Sequence, residues 1–385
     1  MGAQCSCKER PEQETAYLEW RSLCVAGDWK PADEIENGLQ GQVHDVLVSE
    51  AFRKLPPFIT SEGPVMDLVH SRQQVEWYIE RMKLVNTVNA PRMKVVWWGT
   101  IKKLGRLPRW PEDRDHVLDA QGVLEQWAKR CDDRGGVIVD GRRRELCFSF
   151  FSHRWERPAQ EMGSHYECGR FAHPDRADNK KAKMLARYGE KGACPIFKDT
   201  MFDYYFYVDF ACIDQDDPAA KLAGVTALPL HVAVCIELIF FDSRVREYEP
   251  RGWTRVERVF AYSFCFSPII VYIGEEYPEK ETDFEQLCRD RPEMYSMDSS
   301  GNVHMLVADP LADDAALTNP ADRAIVRQLC AAAMKVPPLN VHFAQAIALQ
   351  AGQDEASVAK NPLKMGVDKV MLDIEHQRMD TSAQK

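Results

Sequence analysis

The spacing of hydrophobic and polar residues divides the chain into a mostly helical first part and a second part in which strands alternate with helices. Between 15 and 135, apolar residues recur at helical spacing. After a turn-rich segment, short apolar runs typical of buried parallel strands alternate with amphipathic stretches. The predicted strands are 145–152, 204–212, 236–241 and 268–273, and the predicted helices are 178–188, 218–234 and 253–264.

This alternation predicts an α/β fold with a parallel sheet, right-handed crossovers and helices on both faces of the sheet. A helix is also predicted to open at 320–323. The Val95–Trp98 run (VVWW) is predicted to pack in a core, because adjacent aromatic residues in an apolar run usually bury surface. The expected divisions are an N-terminal anchor (1–14), a helical N-terminal region (15–135), the α/β domain (140–275), a helical C-terminal extension (276–349) and a polar, partly disordered tail (350–385).

Charge and cysteine content narrow the class of protein. The 385 residues carry a net charge of −10, which argues against nucleic-acid binding, since that requires a basic face. No apolar run reaches the roughly 18 residues of a transmembrane helix. The twelve cysteines are irregularly spaced, and several lie in apolar runs, which favours free, buried thiols in a reducing, cytosolic compartment. These are Cys147, Cys212, Cys235 and Cys265.

The N-terminus matches a lipidation pattern. Gly2 and Ser6 fit the M-G-x-x-x-[ST] sequence of N-myristoylation, and Cys5 and Cys7 stand where a second acyl chain is commonly added. Two lipids give stable anchoring, whereas one alone is marginal. The flanking charges are mixed, so there is no polybasic signal in addition to the acylation pattern. The alternative is that this segment is an ordinary disordered terminus. The lipid interpretation predicts a protein anchored at the cytoplasmic face of a membrane.

Polar residues follow the predicted strands where each strand ends. The first strand runs into Ser152, His153, Arg154 and Trp155, and the second contains Asp209. In α/β sheets of this kind, ligands bind in the crevice beyond the carboxyl ends of the strands. The candidate site is therefore expected at this edge.

Three segments together resemble the heterokaryon incompatibility (HET) domain, over about 145 to 275. That family has a strand-end S-Y-x-W pattern, a strand ending D-A-x-C-I-D-Q-D-D and a helix with R-G-W-T-x-Q-E-R. His153 replaces the tyrosine of the first pattern, and Val256 replaces the glutamine of the third. The matching residues are Ser152 and Trp155, then Asp209, Cys212, Ile213, Asp214, Gln215, Asp216 and Asp217, and then Arg251, Gly252, Trp253, Thr254, Glu257 and Arg258.

The resemblance implies a fold and an activity. HET domains are similar to TIR domains, which have a flavodoxin-like fold, and they imply a role in self/non-self or death signalling. In many TIR domains a tryptophan is followed four positions later by a glutamate that serves NAD⁺ cleavage, and Trp253 and Glu257 have that spacing. NAD⁺ would then be a substrate, and no cofactor is implied.

Elementary chemistry gives Glu257 a similar role. Residues four apart on a helix are neighbours, so the Trp253 indole is expected to shield the Glu257 carboxylate from water and raise its pKa. A carboxylate aimed at an anomeric carbon stabilises an oxocarbenium-like transition state. The alternative is that Glu257 forms an ion pair with Arg251, Arg255 or Arg258 on the helix surface and has no catalytic role.

The other candidate residues have structural alternatives as well. Arg154 suits a pyrophosphate, and His153 can contact ribose or move a proton. Arg154 could instead pair with Asp209 or Asp214, and His153 could be a satisfied strand-end histidine. Ser152, Trp155, Asp209 and Trp253 complete the predicted substrate-binding set.

A metal site is not expected. The acidic cluster Asp214, Asp216 and Asp217 lacks the glycine and bidentate glutamate of a known loop, so turn and N-cap roles are predicted. His165, Cys168 and His173 could reach four zinc ligands only with His153 or Cys194. The residues after His173 are predicted to form a turn into a basic helix with Asp178 as its N-cap. Lys180, Lys181 and Lys183 are expected on a solvated face of this helix, and the alternative is that they attract phosphates near the crevice.

Two classes of function remain open at the level of sequence. One is a TIR-like enzyme that cleaves NAD⁺ or a related nucleotide through Glu257. The other is a non-catalytic signalling module that uses the same fold for self-association, and it predicts a homo-oligomer.

Overall fold

The computed structural model describes residues 38–53, 72–131, 136–139, 141–155, 173–192, 201–242, 248, 251–264, 269–280, 283–290, 295–297, 303–305, 310–311, 315–317, 320 and 322–335. The predicted anchor with Gly2, Cys5 and Cys7 and the predicted tail lie outside these ranges. Within them, none of the helices is long and apolar enough to cross a membrane.

The described elements are mixed α and β. The strands are β1 (Lys94–Trp97), β2 (Leu118–Asp119), β3 (Val137–Val139), β4 (Arg142–His153), β5 (Phe202–Tyr207), β6 (Glu237–Asp242), β7 (Ile269–Gly274), β8 (Tyr295–Met297) and β9 (Val303–Met305). The α-helices are α1 (Leu39–Val48), α2 (Glu50–Arg53), α3 (Arg72–Val85), α4 (Trp98–Leu104), α5 (Ala120–Arg130), α6 (Lys180–Lys191), α7 (Asp209–Cys212), α8 (Pro218–Thr226), α9 (Leu228–Ala233), α10 (Gly252–Phe264), α11 (Phe284–Asp290) and α12 (Asp322–Lys335). A 3₁₀ turn spans Arg114–His116.

Seven strands form one sheet, in the order β2-β1-β5-β4-β6-β7, with β3 paired to β4. The four strands β4 to β7 are parallel, and β1, β2 and β3 pair antiparallel with their neighbours. The predicted α/β class with parallel strands is confirmed. Strand β4 is central among the parallel strands, because β5 pairs with one edge of it and β6 with the other.

The four parallel strands agree with the sequence prediction except at the end of β5, whereas β1, β2, β3, β8 and β9 were not predicted. Strand β4 covers the apolar run predicted for it, and β6 and β7 match theirs to within one residue. The prediction that a strand continues to 212 is wrong, because β5 ends at Tyr207 and helical turn α7 follows. The Asp209 side chain accepts the N–H of Phe210 at 2.7 Å, and the Asp209 carbonyl accepts the N–H of Ile213 at 2.8 Å. These local bonds turn the chain away from the sheet and leave Asp209 at its carboxyl edge.

The Val95–Trp98 run packs in the core, as predicted, and it also extends the sheet. Val95 and Val96 are fully buried, and β1 pairs with β5. The indoles of Trp97 and Trp98 both donate to Asp203 Oδ1, at 2.8 and 2.7 Å. The region predicted as mostly helical therefore also contributes two strands, because a short apolar run has no periodicity that separates strand from helix.

Helices lie on both faces of the sheet, since right-handed crossovers place α6 on one face and α8, α9 and α10 on the other. Helix α6 packs against α4, and α10 packs against α9 and α12. The predicted burial of Cys147, Cys212 and Cys235 is confirmed, whereas Cys265 is outside the described residues.

The start of α6 differs from the prediction. Asn179, in a left-handed conformation, holds the N-cap position, so Asp178 as N-cap is wrong. The buried Asp175 takes over the capping: its oxygens accept the N–H groups of Lys181 and Ala182, both at 2.9 Å. The chain turns back before the helix starts, and this brings a carboxylate from six residues upstream to the open N–H groups.

Replacing Asp175 by alanine is expected to destabilise the protein by about 2 kcal/mol, since it leaves buried N–H groups without an acceptor. Asp178→Ala is the matched control, because that side chain is half exposed and lies 3.6 Å from Arg176. Its effect is expected to stay within about 0.5 kcal/mol. The midpoints of urea unfolding measure both, and equal midpoints would contradict the assignment of Asp175 as the cap.

The C-terminal extension packs over the start of α10. The N–H of Gly252 donates to the Ala316 carbonyl at 3.0 Å, and a Cβ at Gly252 would lie 2.8 Å from Leu317. A larger residue here would require the Leu317 side chain to shift. Helix α12, which begins where the sequence predicted, packs on α10, and its Asp322 accepts the Trp253 indole N–H at 2.9 Å.

Candidate functional site

The fold brings together four predicted site residues at the carboxyl edge of the sheet. Ser152 and His153 end strand β4, Asp209 follows β5, and Glu257 lies one turn into α10. At this edge the crossovers on the two sides of β4 leave in opposite directions, because β5 lies on one side and β6 on the other. Ligand sites of open α/β sheets occur at such switch points.

Ser152 links the central strand to α10. Its Oγ atom lies 2.5 Å from Glu257 Oε2 and 2.5 Å from the Tyr248 hydroxyl oxygen. A serine hydroxyl has one proton, so when Ser152 donates to Glu257, Tyr248 donates to Ser152. Both Ser152 and Tyr248 are buried, whereas Glu257 is half-buried. The carboxyl group is thus held in place by a buried hydroxyl pair.

The surroundings of Glu257 favour its neutral form. Burial raises its pKa to about 8, and the nearby charge of Asp209 acts in the same direction. The hydrogen bond from Ser152 and the charge of Arg258 oppose this shift and do not cancel it. At neutral pH the resting site therefore holds a protonated Glu257 that ionises close to physiological pH.

Asp209 has the opposite character. Burial acts to raise its pKa, but its hydrogen bonds outweigh that effect and the pKa is lowered. The donors are His153 Nε2 at 3.2 Å, Trp155 Nε1 at 2.7 Å and the N–H of Phe210. Asp209 is therefore ionised at neutral pH. His153, for which a satisfied strand-end histidine was the predicted alternative, has this contact with Asp209.

Two carboxyl groups with opposite protonation at one strand edge can divide acid and base work between them. An ionised Asp209 can accept hydrogen bonds from a ligand hydroxyl. Glu257 can hold a proton in one step and present a negative charge in another. The arrangement suits a reaction in which positive charge develops near Glu257.

Trp253 has a partner that the sequence did not predict. Its indole N–H donates to Asp322 of α12 at 2.9 Å. The half-buried Arg154 lies close to Arg251: after burial, the positive charge of Arg154 is the second cause that lowers the pKa of Arg251.

Tyr248 and Lys181 complete the site, and sequence analysis missed both. Tyr248 belongs to no recognised motif. Lys181 was predicted on a solvated face, and that prediction is wrong because its side chain is fully buried behind His153. The helical spacing of the sequence could have indicated that Lys181 is buried, because Lys181 lies on the same face of α6 as the buried Ala182, Met184 and Leu185.

The acidic cluster has the roles predicted for it. Asp217 caps α8 by accepting the N–H groups of Ala219 and Ala220, and Asp214 accepts two N–H groups in the preceding turn. Asp216 pairs with Arg109 at 2.5 Å. Of the zinc candidates, His165, Cys168 and Cys194 lie outside the described ranges, and His173 accepts the N–H of Asp175 at 3.0 Å. No group of three or more metal-ligating side chains occurs in the described part of the chain.

Comparison with known proteins adds no relative to this description. No family model, no curated protein and no solved structure matches the chain. The geometry of the site and the motif resemblance are therefore the basis of a functional assignment.

Proposed function

We propose that the carboxyl edge of the sheet is a nucleotide site at which Glu257 promotes cleavage of an N-glycosidic bond, with NAD⁺ or a related nucleotide as the substrate. The hydrogen bond between Ser152 and Glu257 is the main support, because it holds a carboxyl group of raised pKa at the end of the central parallel strand. An ionised carboxylate, Asp209, lies beside it.

The arrangement of strands supports a flavodoxin-like fold of the HET and TIR type. The four parallel strands stand in the order second, first, third, fourth along the sheet. That is the start of the flavodoxin-like order 2-1-3-4-5, in which the ligand binds between the first and third strands. Ser152 ends the first of these strands, so the site lies where the fold favours a ligand.

The chemistry fits the charges. When the bond between nicotinamide nitrogen and ribose C1′ breaks, its electron pair goes to the ring nitrogen, nicotinamide leaves neutral and the sugar becomes oxocarbenium-like. The cationic nicotinamide group of the substrate favours ionised Glu257, whose charge then stabilises the sugar cation. Water adds to C1′, and the carboxylate accepts the proton that it releases.

The remaining predicted residues have binding roles in this scheme. Asp209, held by His153 and Trp155, accepts a hydrogen bond from a ribose hydroxyl. Arg154 contacts the diphosphate, as arginine suits such oxygens. Trp253 fixes α10 to α12 and positions Glu257 indirectly.

A self-association module is the second candidate, and the Ser152–Glu257–Tyr248 cluster is the specific observation that favours it. A neutral Glu257 with a buried hydroxyl partner suits a structural role in joining α10 to the sheet. In that case the protein binds nucleotide without turnover or not at all, and it forms a homo-oligomer.

Incubation of the purified protein with NAD⁺, with released nicotinamide as the readout, tests the proposal. Turnover supports the enzyme. Absence of turnover in a folded, monodisperse sample contradicts it, and a concentration-dependent oligomer in the same sample supports the module.

The proposal includes attachment to the cytoplasmic face of a membrane through Gly2, Cys5 and Cys7. The wild-type protein is expected to sediment with membranes in cells, and Gly2→Ala to be soluble. Cys5→Ser combined with Cys7→Ser is expected to give intermediate, reversible binding, because one acyl chain is marginal. Equal partitioning of the wild type and Gly2→Ala would contradict the anchor.

A further inference from the structure

The burial of Lys181 is unusual for its residue type. Its relative exposure is 0%, and lysine is rarely fully buried unless its charge is paired or its hydrogens are accepted. The lysines on either side of it in the predicted basic face, Lys180 and Lys183, are not among the buried residues, and Lys180 pairs with Glu279. A buried ammonium group at the site therefore needs a specific reason.

The ammonium group of Lys181 faces three acceptors. It donates to the Arg154 carbonyl through a short hydrogen bond and to the Pro174 carbonyl at 2.8 Å. Its third neighbour is His153 Nδ1 at 3.4 Å. An ammonium group has three hydrogens and no acceptor, so this geometry matches its hydrogen-bonding capacity. The ring of Phe241, with its centroid 5.1 Å from Nζ, covers the group from another side.

The position of Lys181 decides which nitrogen of His153 carries hydrogen. His153 Nδ1 also lies 3.2 Å from the Arg154 carbonyl, so a hydrogen on Nδ1 could donate there. That hydrogen would then stand next to the ammonium group, which can only donate. An unprotonated Nδ1 accepts from Lys181 instead, which leaves the hydrogen on Nε2. Nε2 is the nitrogen that lies 3.2 Å from Asp209 Oδ1.

We propose that Lys181 is a positioning residue that, through the Nε2–H form of the His153 imidazole, orients the Asp209 carboxylate of the candidate site. The ring of Phe151 stacks on His153 with centroids 4.6 Å apart, and this stacking restricts rotation of the imidazole away from Lys181 and Asp209. Trp155 fixes the second oxygen of Asp209 at 2.7 Å. Both carboxylate oxygens are thus held by ring N–H donors.

The consequence for function rests on the proposed nucleotide cleavage. A fixed Asp209 presents its remaining lone pairs to one ligand hydroxyl and keeps its charge at a constant distance from Glu257. Without Lys181, the hydrogen of His153 is free to move to Nδ1 and donate to the Arg154 carbonyl. Asp209 then loses one of its donors and faces an unprotonated nitrogen.

Nitrogen NMR of histidine-labelled full-length protein tests the inference without any need for activity. The His153 signals, assigned by their loss in His153→Gln, are expected to show a protonated Nε2 and an unprotonated Nδ1 at neutral pH. A protonated Nδ1 in the wild-type protein, alone or together with Nε2, would overturn the proposal. The only variant that this measurement requires is His153→Gln, which serves for the assignment.

Two variants sharpen the test. Lys181→Met keeps an unbranched chain next to Phe241 but removes the group that excludes a hydrogen from Nδ1. A hydrogen on Nδ1 is therefore expected in a measurable fraction of the molecules, although ionised Asp209 still favours Nε2–H. Lys180→Met, one residue away and bound only at the surface to Glu279, should leave Nε2 protonated. A Lys181→Met protein that keeps the wild-type form of His153 overturns the inference.

The nucleotide assay then separates the two proposals. If NAD⁺ is cleaved, Lys181→Met should raise KM or lower kcat by about tenfold or more, and Lys180→Met should not. If NAD⁺ is not cleaved by the wild-type protein, the proposed function fails while the NMR result still decides the role of Lys181.

Discussion

A Glu257→Gln protein is expected to release nicotinamide from NAD⁺ at least about 100-fold more slowly than the wild type, the scale of a lost electrostatic contact in the transition state. Glutamine has nearly the shape of a protonated glutamate and can keep the contact with Ser152, but it cannot become negative. Because folding at pH 7 requires Glu257 to take up a proton and glutamine has no such requirement, the free energy of unfolding should not fall at pH 7 and is expected to rise. Loss of activity without loss of stability would identify a chemical role.

Glu237→Gln provides the matched control. Glu237 is a buried residue of β6. Like Glu257, it accepts a serine hydroxyl of β4, in this case from Ser149 at 2.6 Å, and burial raises its pKa, to about 7. It lies at the amino end of β6, away from the candidate site. Its substitution should leave turnover intact. Equal loss of turnover in both variants would point to a general effect on the fold and contradict a catalytic Glu257.

The proposed chemistry also fixes the direction of the pH dependence. Free protein needs an ionised Glu257, so kcat/KM should rise with pH and level off above about 8. A rate that falls through this range would assign the protonated form to the reaction, and Glu257 would then act as an acid.

The free energy of unfolding is expected to fall by about 2 to 3 kcal/mol between pH 6.5 and 8.5, at about 1.36 kcal/mol per pH unit for each group. Burial holds the pKa of Glu257 at about 8 and that of Glu237 at about 7, well above the ordinary glutamate value. The folded protein therefore binds protons that the unfolded chain has already lost. This stabilisation is complete below the ordinary value and disappears as the pH rises through the folded pKa.

The pH window avoids opposing effects. Burial lowers the pKa of His231 to about 3, so the unfolded chain takes up a proton there below about 6.5 and stability falls towards acid. Asp209, with its lowered pKa, also acts only in the acid range. Above pH 6.5 the two glutamates dominate. Urea unfolding at several pH values should show the largest fall in stability for the wild type, an intermediate fall for Glu237→Gln and the smallest fall for Glu257→Gln. A larger fall for Glu257→Gln than for Glu237→Gln would contradict this ranking.

Sequence alone located the four parallel strands and the edge of the sheet that carries the candidate residues. Buried parallel strands are apolar along their length, and 145–152, 236–241 and 268–273 have this pattern without competing helical periodicity. Polar residues that directly follow such strands fall at the carboxyl edge in any right-handed parallel arrangement. The proximity of Ser152 and Glu257 could therefore be predicted from the sequence, but the distance between their oxygen atoms could not.

Tertiary structure alone decided the partners of individual side chains. Local spacing placed Trp253 next to Glu257, yet the indole bonds Asp322, 69 residues away, because α12 packs on α10. Likewise, the charge of Lys181 indicated solvent, but the turn capped by Asp175 directs that side chain under the end of β4. Periodicity along a chain determines which face of an element is apolar. Packing between elements far apart in sequence determines which distant groups contact a polar side chain. The protonation of Glu257 and Asp209 depends on those contacts, so no local pattern predicts it.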